Sequence, residues 1–423
     1  MGDILYAKIS FYKIGEMMKG KIITVLDAVA YWALVFFPFS MAIAPAFTSI
    51  LMGFLFFSFI TKKVLKRERL CVKTAIDTPF LFMVIIAVIS IYNSVDYSSS
   101  IRGMFKLVNS ALLYLVFVEE IRDRLHVKRI VIAMLAGASL ASFDALWQMS
   151  FGKDFIRGFM PKIAIGLTRA TAAFPNPNVL GIYLAPLASL AFGLGLFYFK
   201  GAKRIAMIIV GLLIATGLLL TFSRFAGLGF FLGVFFMAIV RRNKIIVSLL
   251  ILALLIFSFG APKNIKGWAK EAKNPVIFMF NADRISIYKN SLNMIKHHPF
   301  IGVGVNTFCE NYLKYKLPEP KGAESADHVY AHNNFLQMAG DIGLLGLGAF
   351  IWLLIALFTY FGRLYKKMRD NYYKVLLLSL IASIIVFLVN GMAETNLYYA
   401  RVASLFWYLV GFSLALQKIE KQV

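Results

Sequence analysis

The chain of 423 residues is 60% hydrophobic and only 16% charged, with 40 Phe and a mean hydropathy of +0.74, values that exclude an ordinary soluble globular protein. A formal charge of +24 would suit nucleic acid, but the Lys and Arg fall in short clusters between apolar runs. That distribution excludes a basic nucleic-acid-binding domain and describes membrane topology.

Runs long enough to cross a bilayer, about 20 residues each, lie near 22–42, 44–61, 78–93, 102–121, 128–149, 176–199, 203–221, 224–240, 244–260, 342–362, 373–391 and 398–417. The expectation is an all-α polytopic membrane protein of about twelve spans. Pro38 and Pro45 bracket the reversal between the first two. Lys8 to Lys21 precede span one, "KKVLKRERLCVK", "RDRLHVKR", "KGAKR", "RRNK" and "RLYKKMR" follow spans two, four, six, eight and ten, and Lys418 and Lys421 follow the last. Every even-numbered gap is short and basic, so both termini are expected on the cytoplasmic side. Residues 1–260 then hold nine spans behind an amphipathic N-terminal stretch expected to lie along the inner surface. Residues 261–341 form an outward loop, and 342–423 hold the last three spans. No signal peptide is expected, and Cys71 and Cys309 fall on opposite sides, too far apart to bond.

The two longer outward segments are 150–172 and 261–341. The second, roughly eighty residues, is too long for a plain connection. In "NADRISIYKNSLNMIKHHPFIGVG", Ile285, Tyr288, Leu292 and Ile295 keep helical spacing, Asn281 or Asp283 can cap the start, and "HHP" with "GVG" ends the helix. "NTFCENYLKYK" fits a second helix capped by Asn306, and "LPEPKGAESAD" a mobile loop. Asn333 can cap a third helix closed by Gly340, which puts His332 at a helix N-terminus. His328 and His332, four apart in "HVYAH", could both reach one zinc, but that motif lacks the Glu of a zincin, and a catalytic zinc needs a third protein ligand.

Arginines on the outward face need a reason. Arg169 precedes span six, where Pro175 and Pro177 break the chain and Asn176 can cap a new helix, aiming backbone N–H groups toward the space beside Arg169 in a way suited to phosphate. Arg224 sits at the hairpin between spans seven and eight, before Gly227 and Gly229, whose lack of side chains allows close helix packing. Arg284 opens the first loop helix, against the macrodipole. Arg102 begins span four, with Lys106 a turn deeper. Each alone could snorkel to lipid headgroups; together with His332 they outline an outward anion pocket suited to a lipid-linked diphosphate.

"SRFAGLG", "RISIYKNSLNMIKHHPFIGVGVNTF" and "HNNFLQMAGDIGLLGLG", in that order and with "TRATAAFPNPNVLG" ahead of them, resemble the O-antigen ligase and O-antigen polymerase superfamily, most closely its ligases. The resemblance covers roughly residues 165–350. It implies a fold related to the C-type glycosyltransferases (GT-C) in the bacterial inner membrane. It also implies transfer of glycan from undecaprenyl diphosphate to lipid A-core on the periplasmic side, with inversion and without a metal or other cofactor. The family's loop histidine and arginines match His332, Arg284 and Arg224 here, with Arg169 as a further diphosphate contact and His328, Asn178, Arg102 and Lys106 secondary. Tyr288 stands where Trp is expected and Asp341 where Glu is common, departures expected to lie outside the chemistry.

That chemistry suits these side chains. A neutral imidazole can take the proton of an attacking sugar hydroxyl, and permanently charged guanidinium groups can stabilise a departing diphosphate. A polymerase or a protein-directed oligosaccharyltransferase of the same superfamily would share the donor site. A secondary transporter would instead need ionisable groups near the bilayer midplane, where Asp144 and Lys106 are the candidates. A cell-wall polymerase would lean on an acidic loop residue, Asp327 or Glu324.

Overall fold

The computed structural model describes residues 2–68, 73–164, 166–260, 282–318 and 329–421; Cys71, Asn281, Glu324, Asp327 and His328 lie outside them, as does most of the expected loop at 317–327. A helix covers each of the twelve apolar runs. The first nine are α1 (Gly2–Ile43), α2 (Pro45–Lys66), α3 (Asp77–Ser90), α4 (Tyr97–Glu120), α5 (Arg124–Phe151), α6 (Pro177–Phe197), α7 (Gly201–Leu220), α8 (Arg224–Val240) and α9 (Lys244–Gly260). The long connection carries α10 (Ala282–His297) and α11 (Phe308–Asn311), and the last three spans are α12 (Asn334–Lys367), α13 (Asn371–Asn390) and α14 (Ala400–Glu420). Among the described residues nine helices are long and apolar enough to cross a membrane; α3, α8 and the 17-residue α9 are shorter. The chain is an all-α polytopic membrane protein, with one small addition: β1 (Lys162–Ala164) and β2 (Leu167–Arg169) pair antiparallel in the connection between α5 and α6, Lys162 opposite Arg169.

Local chemistry sets the helix starts. Asp96, Asp123, Asn176, Asn333 and Asp370 cap α4, α5, α6, α12 and α13, each side chain accepting from backbone N–H groups of the first turn. The first reversal is tighter than the two prolines suggest, since Pro38 stays inside α1 and Ala44 alone is extended before Pro45 opens α2. The two helices then run antiparallel, so that Lys62 of α2 reaches Asp27 of α1 at 2.9 Å and Glu120 at the end of α4 at 2.6 Å. The N-terminal stretch continues α1 as one helix from Gly2 and forms no separate surface helix.

The core lies around α6, α13 and α14, where Tyr183, Leu184, Phe387, Phe406 and Tyr408 are fully buried. The other helices turn apolar side chains outward, Phe57, Leu219 and Ile245 among them, as lipid-facing surfaces do. Gly229 and Gly233 of α8 leave room for Val386 of α13, whereas a side chain at Gly227 would meet nothing. Close packing therefore uses Gly229 and not Gly227.

The helix after His332 breaks three residues later than its sequence suggests. Gly340 stays helical, and the chain turns at Gly343 (φ 73°, ψ −179°), a conformation open to glycine alone. A Cβ there would collide with the Phe300 carbonyl. The break frees backbone groups on both sides of it. Gly340 and Asp341 carbonyls accept from Val303 and Gly304 at 2.9 Å, while Leu344 and Leu345 N–H groups donate to Pro299 and Phe300 at 2.7 and 3.2 Å. The "HPFIGVG" turn is thus sewn to α12, satisfying groups that a kink in a membrane would otherwise leave bare.

Asp341 completes that joint. Buried beside the break, its Oδ1 accepts from Thr307 N at 3.0 Å and Phe308 N at 2.8 Å, and Oδ2 from Gln337 at 3.2 Å. The expected cap of the second loop helix, Asn306, does something else. It takes φ 61° and donates to the Ser99 carbonyl of α4 at 3.0 Å, so the start of α11 is satisfied by Asp341 from 33 residues away.

Candidate active site

Four connections meet at one end of the bundle: the β1–β2 hairpin, the α7–α8 turn, the long α9–α12 connection and the segment between α13 and α14. The hairpin is tied down by Ala170 N to the Leu220 carbonyl (2.9 Å) and by Arg169 Nε to the Thr221 carbonyl (2.8 Å). Arg169 Nη2 then donates to Asn178 Oδ1 at 2.6 Å. Asn178 is in place because Asn176 caps α6 through Val179 N (2.9 Å) and Pro177 occupies its first turn. The amide is used at both ends, since its Nδ2 donates to Glu394 Oε1 at 2.6 Å.

Glu394 is the centre of the cluster. It is 5% exposed, lies in "GMAETN" after α13, and also accepts from Arg284 Nη2 through Oε1. Its other oxygen faces His332 Nδ1 at 3.3 Å. Burial pushes the Glu394 carboxyl up, but the His332 hydrogen bond and the Arg284 charge outweigh it and hold the group below its ordinary value. It is a carboxylate at neutral pH. Arg169 is lowered by burial and by Arg284, against the opposing pull of Glu394, and remains a cation.

Arg224, the first residue of α8, lines the same small cavity of about 70 Å³ with Arg169, Arg284, Asn178 and Glu394. Three guanidinium groups and one carboxylate leave the lining with two net positive charges. Such a surface selects anions of more than one charge and presents planar donors to their oxygens.

His332 is held by its backbone as much as by its ring. It sits immediately before the cap Asn333 at φ 46°, a strained conformation for a residue with a Cβ. The single hydroxyl hydrogen of Tyr288 of α10 is shared between the His332 carbonyl (3.1 Å) and the Met392 carbonyl (3.0 Å), Asn333 Nδ2 donates to the Met392 carbonyl (2.9 Å), and Asn334 N donates to the Gly391 carbonyl (2.8 Å). "HNN" is thereby clamped to the segment that carries Glu394. Burial pushes the Tyr288 phenol up to about 12, so it stays a neutral donor. Tyr288 holds the backbone at His332 and Met392, and Asp341 the loop turn at Thr307 and Phe308; neither lines the anion pocket.

An imidazole whose Nδ1–H points at a carboxylate carries its lone pair on Nε2, the arrangement of an oriented general base. The ring is 31% exposed, open enough to meet a substrate. Among the described residues no three His, Cys, Asp or Glu side chains converge on a point.

Of the residues the sequence singled out, Arg169, Arg224, Arg284 and Asn178 share one pocket, and His332 joins it through Glu394. Arg102 is exposed on α4, bonded to Ser98 and Ser99, and does not touch it. Lys106 reaches Asn306 at 3.2 Å and lines a different cavity. Asp144, expected near the bilayer midplane, accepts from Phe155 N at 2.9 Å, which makes it a clasp for the turn after α5. Glu394 went unread. Its signal was an acid in the short connection between the last two apolar runs, in a chain with only 21 acidic residues.

Residues 209–351 match the family model of the O-antigen ligases. The matched stretch holds Arg224, Arg284 and His332, begins after Arg169 and Asn178, and ends before Glu394. No curated protein sequence matches the chain.

Proposed function

We propose that the chain, whose residues 209–351 match the family model of the O-antigen ligases, is an O-antigen ligase, transferring glycan from undecaprenyl diphosphate to lipid A-core at the periplasmic face of the inner membrane. One observation carries the reading: Glu394 bonds both to Arg284 of an arginine-lined anion pocket and to His332, so the base and the leaving-group site form one network.

The reaction follows from that network. The diphosphate lies against Arg169, Arg224 and Arg284. An acceptor hydroxyl loses its proton to His332 Nε2 while its oxygen bonds to the anomeric carbon from the face opposite the diphosphate, whose C–O bond breaks; the sugar is inverted. Glu394 steadies the imidazolium as it forms. Charge growing on the diphosphate is met by guanidinium donors already in position, so no metal is required. A positioned base contributes on the order of a hundred- to ten-thousandfold, about 3–5 kcal/mol, and the cationic pocket supplies much of the rest.

The test incubates purified protein with undecaprenyl diphosphate glycan and lipid A-core in EDTA, comparing the parent with His332→Ala and Arg284→Ala. Glycan on lipid A, lost in both variants, supports the ligase. A lengthened donor makes the protein a polymerase instead, and full activity of His332→Ala or silence in EDTA refutes the mechanism.

A further inference from the structure

The hairpin that carries Arg169 is gripped by a side chain outside the anion pocket. Gln148, near the end of α5, is fully buried and stands apart from the lining of that pocket. Its Oε1 accepts from Thr171 N at 2.7 Å and from Ala172 N at 3.0 Å. Its Nε2 donates to the Phe159 carbonyl and to Thr171 Oγ1, both at 2.9 Å. All four hydrogen-bonding positions of the amide are thus in use. Phe159 precedes β1 and Thr171 follows β2, so one side chain holds both feet of the hairpin.

The grip falls where the backbone needs it. Ala172 takes φ 46°, a conformation that a residue with a Cβ keeps only where its surroundings impose it. Here the N–H groups of Thr171 and Ala172 converge, and the single oxygen of Gln148 takes both, filling the concave turn as an anion would. Phe174 N closes the turn on the Thr171 carbonyl at 3.0 Å, and the chain runs on through the cap Asn176 into α6. Arg169 lies just before this turn, and Asn178, which accepts from its Nη2 at 2.6 Å, just beyond it. The bonds of Arg169 to Asn178 and to the Thr221 carbonyl orient its guanidinium, but only from a backbone already in place.

We infer that Gln148 is a positioning residue for the anion pocket: by clamping the turn at Thr171 and Ala172, it fixes where Arg169 stands before an anion arrives. The inference rests on the reading of that pocket as a diphosphate site, and on no step of the transfer itself. A guanidinium set in advance meets a phosphate oxygen without the cost of ordering itself on binding. Without the clamp Arg169 keeps its charge and loses its place.

Isothermal titration of the purified full chain with inorganic pyrophosphate tests this in four proteins: the parent, Gln148→Met, Arg169→Ala and the double variant. Methionine is close to glutamine in length and makes none of the four bonds. Gln148→Met should bind pyrophosphate at least about tenfold more weakly than the parent, since a displacement of about 1 Å can cost a well-aligned site up to about a hundredfold. In the Arg169→Ala background the same change should cost less than about twofold, because the two residues act as one. Thermal midpoints are read alongside. A lower midpoint with parental affinity makes Gln148 a support of the fold alone and overturns the inference, as does an equal loss of affinity with and without Arg169. Should Gln148→Met fail to fold, Thr171→Val, which removes only the hydroxyl that Nε2 meets, runs the same cycle with a loss of at least about twofold expected. A parent that binds no pyrophosphate refutes the pocket and this role together, whereas additive losses on an intact parent refute the role alone. No glycan is transferred, so a failed ligase assay leaves the result standing.

Discussion

Glu394→Gln separates the two halves of the site with a change of one atom. The carboxylate takes Asn178 Nδ2 and Arg284 Nη2 on Oε1 and faces His332 Nδ1 with Oε2. A glutamine has only one oxygen to offer, and each hydrogen bond to a charged group is worth about 1.5–3 kcal/mol. Turning the amide nitrogen toward Asn178 and Arg284 would lose two such bonds and oppose donors to donors. The oxygen therefore stays with them, and the amide nitrogen faces His332. Two N–H groups cannot share that contact, so the imidazole moves its proton to Nε2 and turns its lone pair away from the acceptor. The loss should approach the whole contribution of a general base, a fall in kcat of about a hundred- to ten-thousandfold. Donor binding should go the other way. With one negative charge fewer beside three guanidinium groups, KM for the lipid-linked donor should stay level or fall. Steady-state kinetics with a fluorescent acceptor resolve the two, with circular dichroism to confirm folding. A variant with parental kcat, or one whose defect is confined to a raised KM, refutes the dyad.

Arg284→Lys keeps the charge but loses the planar fork, and kcat/KM should fall by at least about tenfold, checked by the same kinetics. Gly343→Ala forces a Cβ against the Phe300 carbonyl at φ 73°, and should lower stability by more than the about 1–3 kcal/mol of ordinary backbone strain, visible as a lower thermal midpoint. Asp341→Ala strips two buried N–H groups of their acceptor, at about 1–3 kcal/mol each, so amide exchange at Thr307 and Phe308 should speed up before the bundle melts. The Glu394 carboxyl is held below its ordinary 4.5, so its contribution to stability is complete above that value and disappears as pH falls through the lower folded-state value. Midpoints measured from pH 7 down to 3 should therefore show a larger acid loss in the parent than in Glu394→Gln, where Asp27 and Asp96 still contribute.

What could be read from the sequence was what each segment settles by itself. Apolar length gives the spans, and "FPNPN" gives the start of α6 because cap, proline and amide lie within four residues of one another. The arginines stood out since a cation in a segment expected to face outward contradicts the charge rule. Glu394 contradicts no rule, for an acid is ordinary there, and its partners Asn178, Arg284 and His332 lie 216, 110 and 62 residues away. The same limit explains Asn306 and Gly340. Local rules allow a cap at the one and a break at the other, and both were displaced by contacts with Ser99, Phe300 and Asp341 that exist only when α4, the loop turn and α12 are packed. Function here depends on the closing of such distances. On the proposed mechanism His332 becomes an oriented base only after the segment beyond α13 has folded back over α12, so anything that loosens Tyr288 or Asn334 should cost activity before it costs helix. A Tyr288→Phe variant, which deletes the hydroxyl and little else, tests that order: its far-ultraviolet circular dichroism should match the parent's while kcat falls, and parental turnover would show that the clamp is not what aims the histidine.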